Sequence, residues 1–346
     1  MKKISLAPLC ALLLLTLTSI SCGNSPKPEG IAPLTVQGTQ LYAGDEPVRL
    51  KGISFGWHNI WPRFYNEGAL AYMHDEWGAN LFRAAIGADD HAMADNPGIK
   101  NGYIGEPEFA LENLYAVVDA AIAHDSYIIV DWHSHVLHPE AAKEFFTAVA
   151  TRYADSPNVI YELFNEPVSN EFESERSYAQ PSDESLKDYW LTLKSYSEEL
   201  IGIITGISNV HPLILVGCPQ WDQDIHLVPE APITCYDNVM YTVHYYAASH
   251  KQYLRDRSDY ALSQGIPVFI SECAGCENTG DGYLDLESWE EWENWAEDRG
   301  VSTVVWSVSD KVETCSMLTS EAASEGGWND SVLKPWTRIV IDWIRK

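Results

Sequence analysis

Eight short apolar runs, each followed by an amphipathic stretch, set the tightest limit on what this chain can fold into. The runs are Val48–Phe55, Asn80–Ile86, Tyr127–Trp132, Val159–Phe164, Leu213–Gly217, Val239–Tyr245, Pro267–Ser271 and Thr303–Val308. Their near-continuous apolar character is how parallel strands buried on both faces read. Between them lie amphipathic segments: Glu67–Trp77, Glu108–His124, Pro139–Tyr153, Glu184–Thr205, His250–Gln264 and Leu286–Arg299, with Ser331–Ile344 last. After the fifth run only Asp222–Val228 is left for a helix, which is therefore expected to be much shortened. Alternating strands and helices without a break in composition predict one α/β domain over residues 34–346, a (β/α)8 TIM barrel, a fold of typically about 250 residues plus insertions. An open doubly wound sheet is the alternative, but no glycine-rich strand-to-helix turn of the dinucleotide type supports it. Two extended segments around a turn within Leu34–Pro47 predict a short capping hairpin.

The N-terminus reads as an address. Lys2 and Lys3 precede an apolar run from Leu9 to Leu17, and small residues lead to Cys22. That is the layout of an export signal over residues 1–21, and the run is short for a membrane span. Ser19-Ile20-Ser21-Cys22 looks like a bacterial lipobox, although Ser19 stands where Leu is usual. A lipidated Cys22 followed by a tether over residues 22–33 is expected, with an ordinary secretory signal as the alternative. The expected location is thus the cell surface or outer membrane, reached only through the lipid anchor, or otherwise the medium.

Charge narrows the partners. With 22 Lys+Arg against 50 Asp+Glu the net charge is −28, which repels phosphate backbones and anionic headgroups and makes nucleic acid a poor partner. A neutral polymer meets no such penalty, and 13 Trp and 18 Tyr exceed what a core alone asks for. Beyond Cys22 stand Cys218, Cys235, Cys273, Cys276 and Cys315. Export permits disulfides, and the odd number leaves at least one cysteine outside any bridge within this set. Cys273 and Cys315 follow neighbouring strands, so a bridge between them is one expectation, with Cys276 as the competing partner. A redox or zinc role for Cys273-x-x-Cys276 lacks a second pair.

In a barrel the site is built where strands end, and the exits here are polar: Arg83, Asp131-Trp132-His133, Asn165-Glu166-Pro167, His244-Tyr245-Tyr246, Ser271-Glu272-Cys273 and Trp306-Ser307-Val308-Ser309-Asp310. Glu166 and Glu272, on the fourth and seventh strands, face each other across the mouth. Paired carboxylates share a proton, bind a metal, or divide the roles of acid and nucleophile. His133-x-His135 is the one hint of a metal and reads better as a solvated pair; no metal and no cofactor are expected. The Asp89-Asp90-His91 cluster reads as a solvated loop. In a retaining glycosidase the nucleophile is ionised and the acid initially neutral. Arg83 would depress the pKa of the nucleophile, and the uncharged Asn165 would leave Glu166 its proton.

These residues resemble glycoside hydrolase family 5, in its bacterial β-1,4-endoglucanase (cellulase) branch, over nearly all of the chain from Leu34 on. The sharpest motif is Tyr161-Glu162-Leu163-Phe164-Asn165-Glu166-Pro167; weaker matches are Asn80-Leu81-Phe82-Arg83, Asp131-Trp132-His133, His244-Tyr245-Tyr246 and Trp306-Ser307-Val308-Ser309-Asp310-Lys311. The resemblance implies Glu166 as acid/base and Glu272 as nucleophile. It implies that Asn165 bonds the sugar 2-hydroxyl and that Arg83 and Tyr246 hold Glu272. It places His133 and His244 along the cleft and makes Trp306 the floor under the attacked sugar. His58, Lys311 and Glu313 would support or contact substrate. Trp57, Trp61, Trp132 and Trp221 stay open between sugar platform and packing, while Trp289, Trp292 and Trp295, three residues apart on one helix, read as packing. Cys273 departs from the family, where Trp often follows the nucleophile.

The implied activity is retaining hydrolysis of a cellulose-type β-glucan by a monomer. The alternatives are β-mannan, xyloglucan or mixed-linkage glucan under the same mechanism, or a glycan-capturing surface lipoprotein without catalysis.

Overall fold

The computed structural model describes residues 30–89, 99–168 and 183–346. Cys22 and the export segment, Asp90 and His91 lie outside the described residues. Eight parallel strands close into a barrel, β4 (Lys51–Phe55), β5 (Leu81–Gly87), β6 (Tyr127–His133), β7 (Val159–Glu162), β8 (Ile214–Val216), β9 (Val239–Tyr246), β10 (Val268–Ala274) and β11 (Thr303–Val308), with β11 pairing back onto β4. Before them, β1 (Leu34–Gln37), β2 (Gln40–Ala43) and β3 (Glu46–Pro47) form the expected hairpin sheet.

Around the barrel run α1 (Glu67–Tyr72), α2 (Pro107–Ala123), α3 (Pro139–Arg152), α4 (Asp183–Ile207), α5 (Gln252–Ser263), α6 (Leu286–Arg299) and α7 (Pro335–Ile344). Proline opens α2 and α3, where its missing N–H removes no helical bond. Asp285 caps α6 by accepting from the Ser288 N–H, and Gly300 ends it in the left-handed region at φ 65°. The fifth connection is shorter still than expected, a 3-10 turn over Ile225–Glu230.

Two apolar layers hold this together. One lies between strands and helices. The other fills the barrel floor, where Leu81, Ile129, Ile160, Leu215, Met240, Phe269 and Val304 meet Leu34 and Leu41 of the hairpin. The hairpin therefore plugs the barrel's N-terminal end, each buried leucine contributing about 1.5–3 kcal/mol. Asn238 pins it by accepting from the Val36 N–H at 2.9 Å and donating to the Leu34 carbonyl at 2.9 Å.

The floor also fixes the site above it. Side chains alternate in direction along a strand, so the residue two positions beyond each floor residue points inward one layer higher. From Leu81, Ile129, Ile160, Phe269 and Val304 this rule reaches Arg83, Asp131, Glu162, Ser271 and Trp306. The barrel therefore changes from apolar to charged within a single step.

Candidate active site

The pairing of β10 with β9 slips in register between Phe269 and Glu272. Such an irregularity breaks the alternation and re-aims a side chain. Glu272 consequently lines the cleft, while Cys273 packs among the outer residues, its thiol donating to the Val304 carbonyl at 3.3 Å. This overturns the Cys273–Cys315 bridge. Cys315 instead interacts with the Cys276 thiol, and all five cysteines are free.

The cleft, 1130 Å³ in volume, is lined by Glu166, Glu272, His133, Tyr246, Trp306, Lys311 and Glu313 of the expected set, together with Trp57 and Trp61. A smaller hollow of 510 Å³ continues past Glu166 and is lined by Trp221 and Tyr253. Trp306 lies parallel to His133, rings 5.3 Å apart at 5°. Lys311 and Glu313 form an ion pair on the rim. Trp132 is wholly buried against Tyr103 and Phe145, which settles it as packing. Trp292 stacks on Tyr245 at 4.1 Å, and Trp289 and Trp295 are buried with it, as expected.

Arg83, Asn165 and His244 stand behind this lining. Arg83 donates through Nε to Glu162 at 2.7 Å, through Nη1 to Glu272 at 2.9 Å and through Nη2 to Asn165 at 2.7 Å, with Asp131 also 2.9 Å away. Tyr246 donates its hydroxyl to the other Glu272 oxygen at 2.7 Å. His244 is 1% exposed, so it serves the cleft through Glu166, 3.1 Å from its Nδ1, instead of lining it. Its Nε2 bonds Ser271, which donates to Glu162 at 2.6 Å. Asn165 gives its carbonyl oxygen to Arg83, which leaves only its amide N–H2 for a ligand.

His58 is corrected. It is fully buried beside the cleft and accepts the Gly87 N–H at 3.0 Å. It supports the first loop and does not line the cleft. Burial pushes its pKa down to about 3.

The match with known proteins follows this geometry. A family model described as Cellulase (glycosyl hydrolase family 5) covers residues 41–312. The chain belongs to glycosyl hydrolase family 5. An endoglucanase of Clostridium saccharobutylicum is 33% identical over 306 residues, 87% of this chain and 62% of that one. Endoglucanase Z of Dickeya dadantii is 30% identical over 326 residues, 92% of this chain and 70% of that one. The catalytic domain of a Thermobifida fusca endoglucanase superposes with a TM-score of 0.76 at 26% identity, covering 91% of this chain and 97% of that one. This chain spans 62% of the Clostridium protein's length and 57% of that of endoglucanase A from Evansella cellulosilytica.

Three side chains of this family 5 site were not assigned from sequence. Glu162 was legible in principle, being a charge inside an apolar strand and in phase with Ile160. Asp222 was not. It reaches His244 Nε2, at 3.3 Å, only because Gln220, Trp221 and Asp222 all adopt left-handed backbone, with φ 60°, 53° and 59°. That conformation costs about 1–2 kcal/mol per residue, and the Asp222 carboxylate helps offset it by accepting the Cys218 N–H. The third is His135, which is no solvated partner of His133: its Nε2 lies 3.1 Å from Glu166.

The charges are distributed against expectation. Burial opposes ionisation of Glu166, but hydrogen bonds from His135 and His244 outweigh it and hold its pKa well below the ordinary range. Burial raises Glu272, and the nearby Glu166 adds to this; His244, Arg83 and the Tyr246 hydroxyl pull it back only in part. Arg83 does not depress Glu272 below normal, because it divides one charge among Asp131, Glu162 and Glu272. The acid/base candidate is thus pushed toward ionisation and the nucleophile candidate away from it.

Proposed function

We propose that this chain is a retaining endo-β-1,4-glucanase acting on cellulose-type β-glucans. One observation carries the reading: a carboxylate oxygen of Glu166 and one of Glu272 lie within 4.8 Å of each other over a common cleft. Retaining glycosidases hold their carboxyl groups about 5–5.5 Å apart, and inverting ones about 6.5–9.5 Å. His244 is the third donor in that cluster. It already bonds Glu166 and Ser271, and Glu272 already bonds Arg83 and Tyr246, which suits acid and nucleophile better than metal ligands.

In the first step a Glu272 oxygen attacks the anomeric carbon and the glycosidic C–O bond breaks. The Glu166 proton passes to the leaving oxygen, and a glycosyl ester remains on Glu272. In the second step Glu166 takes a proton from water as that water attacks the same carbon and frees Glu272. Trp306 offers a flat face to the sugar at the point of attack, and the Asn165 amide faces its 2-hydroxyl. Trp57 and Trp61 extend the platform on one side and Trp221 on the other. The relatives' names support a β-glucan, as does a variant of the Thermobifida fusca domain solved with cellotetraose.

The test has three parts. Reducing ends should be released from carboxymethylcellulose in preference to β-mannan, xyloglucan and mixed-linkage glucan. A 2-fluoro-sugar inactivator should label Glu272. Tight binding without release favours a capture protein, and label on another residue removes the assignment. We further propose that the protein is an exported monomer anchored through Cys22; incorporation of labelled palmitate that Cys22→Ser abolishes, and the hydrodynamic size of the soluble domain, test those points.

A further inference from the structure

Both oxygens of Glu166 are taken by histidines. His244 holds Oε1 and His135 holds Oε2, each at 3.1 Å. An acid must turn a protonated oxygen toward the glycosidic bond, so one histidine has to let go. His244 is locked, 1% exposed and bonded on its far side to Ser271, with Asp222 and Glu162 close by. His135 is less confined: its side chain is 31% exposed, it comes from the loop after β6, and its ring is flanked by Trp57 at 6.1 Å and His133 at 6.5 Å. It also lines both the main cleft and the smaller hollow, at the boundary where a leaving-group sugar would enter.

We propose that His135 is a latch on Glu166, donating to the carboxylate while the cleft is empty and yielding when the leaving-group sugar enters, so that the acid arms only once that subsite is filled. The inference rests on the hydrolase reading above, and His135 acts in it as a positioning residue. Burial opposes a charge on His135, but the Glu166 bond outweighs it and raises its pKa. Asp89 and Glu272 reinforce that charge, and His133 on β6 faces the same ring. Around Glu166 stand His244 and Tyr246 from β9, Glu272 from β10, Asp222 from the left-handed turn, and His250 before α5. Arg83, Asp131 and Glu162 form the layer beneath.

The experiment compares pH profiles of kcat/KM, which report the empty enzyme, with those of kcat, which report the complex. Cellopentaose, being uncharged, is the substrate. A donor to the ionised carboxyl lowers its pKa, so removing that donor raises it. His135→Leu should displace the descending alkaline arm of kcat/KM upward by about one pH unit, a tenfold gain at a given alkaline pH, and leave the arm of kcat in place. His135→Gln keeps an N–H donor without the charge and should fall between. An unmoved kcat/KM arm in His135→Leu, or equal displacement of both arms, overturns the latch. A wild-type protein that cleaves no β-glucan overturns the underlying reading and the latch with it.

Discussion

Tyr246→Phe removes one hydroxyl and tests how the nucleophile is held. The phenol donates to a Glu272 oxygen at 2.7 Å, in a site where Tyr246 is 8% and Glu272 4% exposed. A hydrogen bond to a charged group is worth about 1.5–3 kcal/mol, and one pKa unit corresponds to about 1.4 kcal/mol. The ionised carboxylate should therefore lose the equivalent of about one to two pH units. Burial already raises the pKa of Glu272, so the change carries it further in the same direction. Only ionised Glu272 attacks, so the ascending acidic arm of kcat/KM should move to higher pH by that amount. Rates on the acidic side should fall about 10- to 100-fold, while rates far on the alkaline side, set by the protonated fraction of Glu166, stay unchanged. The assay is initial-rate hydrolysis of cellopentaose across pH, with melting midpoints to show that the fold is intact. An acidic arm that stays in place, or moves to lower pH, refutes the claim that this phenol stabilises the ionised nucleophile.

Three further outcomes are expected. His58 and His250 accept the N–H groups of Gly87 and Tyr246, and burial lowers their pKa values to about 3 and about 4. The unfolded chain therefore binds protons below about pH 6.5 that the folded chain refuses, and stability should fall by about 2 kcal/mol per histidine by pH 5. His58→Asn with His250→Asn, which keeps an acceptor at each place, should flatten that fall in chemical denaturation; an unchanged slope contradicts the assignment. Trp306→Ala should lower kcat/KM on cellopentaose about tenfold or more, and Trp306→Phe should restore part of it; equal rates for all three proteins would remove Trp306 from the sugar platform. Non-reducing peptide maps should contain no Cys273–Cys315 cross-link, because the Cys273 thiol donates to the Val304 carbonyl while the Cys315 thiol pairs with Cys276; finding one would refute that placement of Cys273.

What could be read from the sequence was set by periodicity. The barrel follows from run length and spacing, and Thr303–Val308 and Leu286–Arg299 match the observed elements to the residue. Arg83 and Glu162 are in phase with the floor residues Leu81 and Ile160, so an inward charged layer was implicit in the strands. What periodicity cannot reveal is where it breaks. Glu272 and Cys273 exchange faces through a register slip that no residue type announces. Asp222 reaches the site through three left-handed residues, none of them glycine, at the start of the expected Asp222–Val228 helix. His58 belongs to a loop tied to Gly87, a residue distant in sequence, by the hydrogen bond it accepts.

The reversed ionisation of the two glutamates follows from a shortage of positive charge. Five carboxyl groups, the buried Asp131, Glu162, Asp222 and Glu272 and the partly buried Glu166, surround one permanent cation, Arg83, and the imidazole of His244. Two cations cannot keep five carboxylates ionised in a low-dielectric interior. Asp131 and Asp222 yield first, both raised well above the ordinary range by burial. Glu162 stays ionised despite burial because Arg83 and His244 both bond it. The last choice lies between Glu166 and Glu272, and the half-buried His135 tips it toward Glu166. A sugar that displaces His135 withdraws the one positive partner not built into the barrel. The proton then moves onto Glu166 and the negative charge onto Glu272, which is the distribution the first chemical step requires.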